Sequence, residues 1–182
     1  MRDDAEILSR MIKSSATVAL DESYGKPCLT LREPQAPDSL VTVRNVPADT
    51  VAIKVDAFTA PDAVFKGEQG ECKRADYVLI SPQRRTIVYI EVKRTRDGLE
   101  DIVKQLKGAQ CFVHYCRDIG STFWGEANFL NGYQHRFVSI GHTTLAKRKT
   151  RIERTAASHD NPSKPLKIDW PHNLQFNQLA GA

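Results

Sequence analysis

The sequence predicts a mixed α/β fold built around one central sheet. Two segments, residues 3–13 and 97–117, space their apolar residues as amphipathic helices do. Several short apolar runs rich in Val, Ile and Tyr lie between and after these segments, which is typical of strands. The chain has 182 residues, of which 41% are apolar and 26% are charged, so we expect one globular domain covering residues 1–182.

The first predicted helix carries an apolar stripe and acids near its start. Ile7, Leu8 and Met11 share one face, and Asp4 suits the positive end of the helix dipole. Four short extended segments follow this helix, separated by prolines, and they cover residues 17–20, 28–31, 40–46 and 51–58.

Residues 74–95, RADYVLISPQRRTIVYIEVKRT, predict a β-hairpin with apolar residues on both faces. Strands of this kind are typical of the centre of a sheet that is covered on each side. If the turn is centred on residues 83–84, Ser81 faces Thr86 in the simplest register. The hairpin is therefore expected to form the middle of the sheet.

Three charged side chains converge at the open end of this hairpin. The same register places Asp76 opposite Glu91, with Cβ atoms about 5 Å apart. Lys93 lies two residues beyond Glu91 and therefore emerges on the same face. Two crowded carboxylates favour a hard divalent cation, to which the Val92 carbonyl could be a further ligand. Lys93 would then orient or activate a water nucleophile and offset charge on a phosphate.

The second predicted helix, residues 97–117, has an apolar stripe formed by Leu99, Ile102, Val103, Leu106, Ala109 and Val113. A loop rich in Gly, Asn and Trp follows, and then a strand at residues 135–142. A basic run, KRKTRIER at residues 147–154, precedes a polar loop. The last segment, residues 166–179, predicts one or two short strands that close the domain. The predicted order is helix, several strands, helix and strand.

This order, with the triplets RAD and EVK, resembles the PD-(D/E)XK nuclease superfamily, whose restriction-endonuclease-like core is a helix, three strands, a helix and a strand. Asp76 matches the acid that begins the second core strand, and Glu91 and Lys93 match the acid and lysine of the third. Ala75 stands where the superfamily motif has proline. The resemblance covers roughly residues 3–142. It implies metal binding by Asp76 and Glu91 and a catalytic role for Lys93.

Many members of this superfamily carry a further acid upstream and a polar residue on the helix after the lysine. Gln105 matches the polar residue, at the margin of the apolar stripe where it could reach over the site, and it is equally compatible with an exposed helix glutamine. Glu6, Glu68 and Glu71 are candidates for the further acid. Glu71 is favoured as a metal ligand because it is nearest to Asp76, although each of the three also suits a solvated surface.

Basic side chains flank the proposed ligands and suit a nucleic-acid backbone, for which charge contacts supply most non-specific affinity. We expect phosphates to be bound by Lys73, Arg74, Arg94, Arg96, Lys104 and Lys107. The basic run at residues 147–154 is either a second contact or a solubilising loop. Phe123, Trp124 and Phe129 could stack on bases, but a role in the core or in anchoring the loop is favoured.

Charge and cysteine content narrow the class of protein. The net charge of +4 is compatible with an anionic partner without demanding one. The first residues lack the apolar region of a signal peptide, and no apolar run is long enough to span a bilayer, so we expect a cytoplasmic protein with reduced cysteines and no membrane partner. Cys111, His114 and Cys116 match no common structural zinc spacing, so buried or half-buried thiols are favoured over a metal site.

The sequence therefore predicts a nuclease that uses Mg²⁺ or Mn²⁺ to hydrolyse DNA phosphodiester bonds, with an endonuclease favoured. By analogy with the superfamily it would serve defence, restriction or repair. One alternative is a non-catalytic nucleic-acid-binding or complex-forming module on the same fold. Another is a small α/β interaction protein in which the pattern is coincidental. A homodimer or a partner protein is compatible with the nuclease interpretation.

Overall fold

The computed structural model describes residues 3–33, 36–93, 98–141, 158–169 and 173–181. Within these ranges lie the helices α1 (Asp4–Met11), α2 (Leu99–Trp124) and α3 (Phe176–Ala180). The strands are β1 (Thr17–Val18), β2 (Asp21–Ser23), β3 (Lys26–Glu33), β4 (Ala36–Arg44), β5 (Val51–Lys54), β6 (Tyr77–Ser81), β7 (Thr86–Lys93), β8 (Gln134–Gly141), β9 (Leu166–Asp169) and β10 (Asn173–Gln175). Short 3₁₀ helices cover Ser14–Ala16, Val55–Ala57 and Pro61–Ala63. The α/β class is confirmed.

The central sheet has six strands in the order β1-β5-β6-β7-β8-β9. The pairs β1–β5, β5–β6 and β6–β7 are antiparallel, whereas β7, β8 and β9 run parallel to one another. Because parallel strands end at the same edge of a sheet, the carboxyl ends of β7, β8 and β9 lie together. The start of β6 lies at that edge as well, because β6 is antiparallel to β7.

The four described strands that lie outside the central sheet form a second sheet. Its order is β10-β4-β3-β2, with β10 parallel to β4 and the other pairs antiparallel. The side chains of β3 and β4 alternate, and one set is fully buried against the central sheet: Leu29, Leu31, Val41 and Val43. The sequence analysis did not anticipate this two-sheet arrangement.

Both faces of the central sheet are covered, which explains why β6 and β7 are apolar on both sides. The helix face, as we call the side on which α1 and α2 pack, buries Val78, Ile80, Ile87 and Tyr89. The opposite face packs against the second sheet and α3, and it buries Tyr77, Leu79, Val88, Ile90 and Val92. The two sets alternate along each strand, as strand geometry requires.

β6 and β7 pair in the register that the sequence predicts. Ser81 lies opposite Thr86 across a turn at residues 82–85. Continuing the same register beyond the last pair brings Asp76, one residue before β6, level with Glu91. The convergence of these two acids is therefore set by the length of the turn.

α2 is longer than the sequence predicts. It continues beyond residue 117 to Trp124 because its buried face continues as far as Gly120, which packs against the ring of Phe129. The helix ends at Gly125, whose φ of 71° is the left-handed conformation that favours glycine at a helix end.

Two further predictions of local structure were confirmed only in part. The strand predicted at residues 51–58 ends at Lys54, because the chain turns into a 3₁₀ helix whose first residue, Val55, is buried in the core. The segment at residues 166–179 forms two strands, but it then enters α3, which buries Phe176 and Leu179 three residues apart on one face. No helix in the described part of the chain is long and apolar enough to cross a membrane.

Candidate metal centre

The carboxyl group of Glu91 is completely buried near the end of β7. Its exposure is 0%. Tyr89 belongs to the core on the helix face and Val92 to the core on the opposite face, so strand alternation directs Glu91 toward the helix face. Burying an ionised carboxylate costs on the order of several kcal/mol unless charge and hydrogen bonds compensate. A position with this cost needs a compensating partner.

Asp76 is fixed beside the end of β7 through both its main chain and its side chain. The main-chain N–H of Val92 donates a hydrogen bond of 2.8 Å to Oδ2 of Asp76. The N–H of Val55 donates a hydrogen bond of 2.8 Å to the carbonyl of Asp76. The carboxylate of Asp76 thus accepts a hydrogen bond that a main-chain carbonyl would accept in a regular β-ladder. This bond holds Asp76 beside Glu91.

Lys93 supplies a positive charge next to Glu91. Its Nζ lies 2.9 Å from Oε1 of Glu91, and its side chain is 22% exposed. The contact is an ion pair, and neither oxygen of Glu91 has a hydrogen bond of regular geometry among the described residues. One ammonium therefore leaves most of the acceptor capacity of this carboxylate unused.

The surroundings of Glu91 disfavour its ionised form. Burial and, to a smaller extent, the negative charge of Asp76 together raise the pKa of the Glu91 carboxyl to about 8, although Lys93 opposes both effects. Without another positive charge, the site holds a proton on Glu91 near neutral pH. A bound cation would replace that proton.

Gln105 on α2 carries an unsatisfied atom as well. In the described part of the chain, four buried side-chain oxygens lack a hydrogen-bond partner: both carboxyl oxygens of Glu91, Oε1 of Gln105 and Oγ1 of Thr50. Thr50 precedes β5 at the other end of the central sheet, whereas α2 packs against β7. Buried polar atoms nearly always have partners. The three unsatisfied oxygens therefore belong to two residues singled out from the sequence, Glu91 on β7 and Gln105 on the helix that packs against β7.

Close packing of α2 against the segment before Asp76 helps to hold the site. This packing depends on Gly108, which was not predicted from the sequence. A Cβ added at Gly108 would lie 1.7 Å from the carbonyl oxygen of Lys73, so only glycine allows the helix to touch the segment that leads to Asp76. Lys73 also forms an ion pair with Asp101 in the first turn of α2. A glycine within a helix costs about 1 kcal/mol relative to alanine. Its presence at position 108 was therefore the feature of the sequence that could have indicated a close contact.

The structure does not bring the candidate third acids together with Asp76 and Glu91. The carboxylate of Glu71 accepts hydrogen bonds of 2.9 and 2.8 Å from the N–H groups of Gly67 and Gln69 in its own loop. These bonds lower the pKa of Glu71. Across the described residues, no group of three or more His, Cys, Asp or Glu side chains could hold a metal ion.

The other two candidates also lie apart from the centre. Glu6 is exposed on α1 and pairs with Arg10 at 3.7 Å. Glu68 is exposed in the loop that precedes β6. The acidic ligands that the centre offers are thus the two strand carboxylates.

Most of the predicted phosphate-binding residues that can be described have partners within the protein. Lys73 pairs with Asp101, and Lys104 pairs with Glu100 at 2.7 Å. Arg74 donates hydrogen bonds of 3.2 Å each to the carbonyls of Val55 and Asp56. Lys107 is exposed on α2. The predictions for Arg94, Arg96 and the basic run at 147–154 lie outside the described residues.

Phe129, Trp124 and Cys116 lie where the favoured interpretations expect them, whereas Phe123 and Cys111 are exposed and depart from them. Phe129 is 1% exposed, and Trp124 packs against the core, whereas Phe123 is 78% exposed at the end of α2. The four cysteines are free, with Cys116 buried and Cys111 exposed. Burial raises the pKa of the Cys116 thiol to about 12, so it remains protonated.

Comparison of the chain with models of known families, with curated proteins and with solved structures found no match.

Proposed function

We propose that this protein is a metal-dependent nuclease that hydrolyses phosphodiester bonds of DNA. The observation that carries the proposal is the buried carboxylate of Glu91. Neither of its oxygens has a hydrogen-bond partner in the described part of the chain, and the acid Asp76 is held beside it. A divalent cation satisfies both requirements at once, because it supplies charge and accepts oxygen ligands from both carboxylates.

The residues present fit Mg²⁺ better than a metal that needs a complete protein cage. Mg²⁺ is usually held by one or two carboxylates together with water and phosphate oxygens. Asp76 and Glu91 would hold it, with the Val92 carbonyl as a third candidate ligand. A third acid is not needed for such a site, which agrees with the distant positions of Glu6, Glu68 and Glu71.

The order of elements also supports the proposal. α1, β5, β6, β7, α2 and β8 follow one another as a helix, three strands, a helix and a strand. The first three of these strands are antiparallel and the fourth is parallel to the third. We infer a restriction-endonuclease-like core from this order, with Asp76, Glu91 and Lys93 at the edge where β6 begins and β7 ends.

The protein's own residues have separate tasks in the proposed reaction. Asp76 and Glu91 would hold the cation, which when bound would stabilise charge on the phosphate and promote ionisation of water. The ammonium of Lys93 lies where it can stabilise negative charge that develops on the phosphate. The amide oxygen of Gln105 can accept a hydrogen bond from the attacking water. Hydrolysis adds this water across the P–O bond.

The direct test is cleavage of supercoiled plasmid, linear duplex, single-stranded DNA and RNA with Mg²⁺, Mn²⁺ or EDTA. We expect DNA cleavage that EDTA abolishes, with the closed circle cut as an endonuclease requires. Glu91→Gln and Lys93→Met should each lower the rate by at least about 100-fold. Glu68→Gln, an exposed acid in the preceding loop, is the matched control and should cleave normally.

The same experiment separates the alternatives. A non-catalytic binding module would retain DNA or RNA without cutting either, at every metal concentration. An interaction protein with a coincidental pattern would neither bind nor cut. Either result contradicts the proposed nuclease.

A further inference from the structure

A row of polar side chains crosses the central sheet at the level of Glu91. In the parallel ladder of β7 and β8, Glu91 is paired with Ser139. In the next ladder, Ser139 is paired with Lys167 of β9. The row thus runs from a carboxylate through a hydroxyl to an ammonium across three consecutive strands.

These three side chains share the helix face of the sheet. Their neighbours Val92, Ile140 and Ile168 belong to the core on the opposite face. Because successive residues of a strand point to opposite faces, the residues one position earlier lie on the helix face together. The three side chains therefore lie in a row on one face of the sheet.

The exposure of the side chains in this row increases with distance from Glu91. Glu91 is 0% exposed and Ser139 is 6% exposed, whereas Lys167 is exposed on β9 at the edge of the sheet. No ion pair to Lys167 occurs within the described ranges. A lysine on the open part of the candidate site's own face is available to an external anion.

From this arrangement we propose that Lys167 binds a substrate phosphate next to the one that is cleaved. The proposal rests on the proposed nuclease function. Adjacent strands lie about 4.8 Å apart, so β9 is about 10 Å from β7, a distance comparable with the spacing of neighbouring phosphates once the reach of a lysine is included.

The residues two positions further along the same three strands limit where a phosphate can bind on this face. Lys93 is paired with Gly141, and Gly141 is paired with the exposed Asp169. The glycine leaves the space beside Lys93 free of a side chain, and the carboxylate of Asp169 repels phosphate. A phosphate is therefore favoured beside Lys167 and disfavoured beside Asp169.

The test compares Lys167→Ala with Lys26→Ala, which removes an exposed strand lysine from the second sheet. For Lys167→Ala we expect an unchanged kcat and unchanged Mg²⁺ dependence, with KM for DNA raised about fivefold near 0.1 M salt. The dependence of log affinity on log salt should become shallower by about 1, the value for one lost phosphate contact. Lys167→Arg should retain most of the affinity, and Lys26→Ala should match the wild type.

A KM and a salt dependence that are the same in Lys167→Ala, Lys26→Ala and the wild type would overturn the inference. Binding of fluorescent DNA without divalent metal separates it from the proposed reaction. If the wild type binds DNA and never cuts it, the nuclease proposal fails, while the salt dependence of Lys167→Ala still decides the role of Lys167. If the wild type does not bind DNA, both proposals fail.

Discussion

The main-chain N–H of Val92 donates a 2.8 Å hydrogen bond to the side chain of Asp76, where β6 has not yet begun. This bond ties the acid of one strand to the end of the next and places it beside the buried Glu91. A side chain, not a main-chain carbonyl, closes the ladder at this point. The structural role of Asp76 can therefore be separated from its charge.

Asp76→Ala should lower the free energy of unfolding by about 1–3 kcal/mol, because the N–H of Val92 loses its acceptor. Asp76→Asn keeps an acceptor oxygen and should lie closer to the wild type in stability. Urea unfolding of the two variants in EDTA measures the difference. Equal stability of Asp76→Ala and Asp76→Asn would show that this bond does not hold the site.

Stability without metal should fall as the pH rises. The pKa of Glu91, about 8 in the folded protein, lies above its ordinary value of 4.5, so the folded state binds the proton more tightly. The resulting stabilisation is fully present below the unfolded pKa and is lost as the pH rises through about 8. Urea unfolding in EDTA at pH 6, 7.5 and 9 should show this loss.

Glu91→Gln is the control for the pH experiment, because the neutral amide cannot titrate. Its stability should depend less on pH between 6 and 9 than that of the wild type. Added Mg²⁺ should raise the Tm of the wild type more at pH 9 than at pH 6, since protons compete with the cation for the carboxylate. Identical pH profiles for the two proteins would contradict the assigned environment of Glu91.

Gly108→Ala should destabilise the protein, although alanine is the better helix former by about 1 kcal/mol. The new methyl group would lie 1.7 Å from the carbonyl oxygen of Lys73, so α2 must move away from the segment before Asp76. Gly98→Ala is the matched control, because a Cβ at Gly98 meets nothing within 4 Å. Thermal unfolding should show a lower Tm for Gly108→Ala alone. A Tm equal to that of the control would exclude this close contact.

Gln105→Leu should affect stability and activity in opposite ways. Removal of a buried oxygen without a partner is expected to leave stability unchanged or to raise it by about 1 kcal/mol. The cleavage rate should nevertheless fall at least about tenfold, because the attacking water loses an acceptor. Gln110→Leu, on the same helix, should retain full cleavage. An equally active Gln105→Leu variant would remove Gln105 from the reaction.

The pairing of the two strand acids could be predicted because it depends on short-range rules. The apolar run around Ser81 and Thr86 fixes a register in steps of two residues, so Asp76 and Glu91 had to meet if the hairpin formed. The continuation of α2 to Trp124 depends on the packing of Gly120 against Phe129, which no local pattern encodes.

Contacts between segments that are far apart in the sequence could not be predicted either, because no local pattern encodes them. The second sheet joins strands from both ends of the chain through the pairing of β10 with β4. The row from Glu91 to Lys167 depends on the parallel register of β7, β8 and β9, which is set by long-range packing. The candidates for a third acid near β6 could be ranked by their distance from Asp76 in the sequence. The hydrogen bonds that the Glu71 carboxylate accepts within its own loop depend on how that loop folds and could not be predicted.

The central claim is that Asp76 and Glu91 together bind a divalent cation, and calorimetric titration of the metal-free protein with Mn²⁺ tests it most directly. The account predicts one Mn²⁺ site in the wild type, with affinity lost in Glu91→Gln and weakened at least tenfold in Asp76→Asn, while Glu68→Gln binds as the wild type does. Equal Mn²⁺ affinity in the wild type and Glu91→Gln would contradict it.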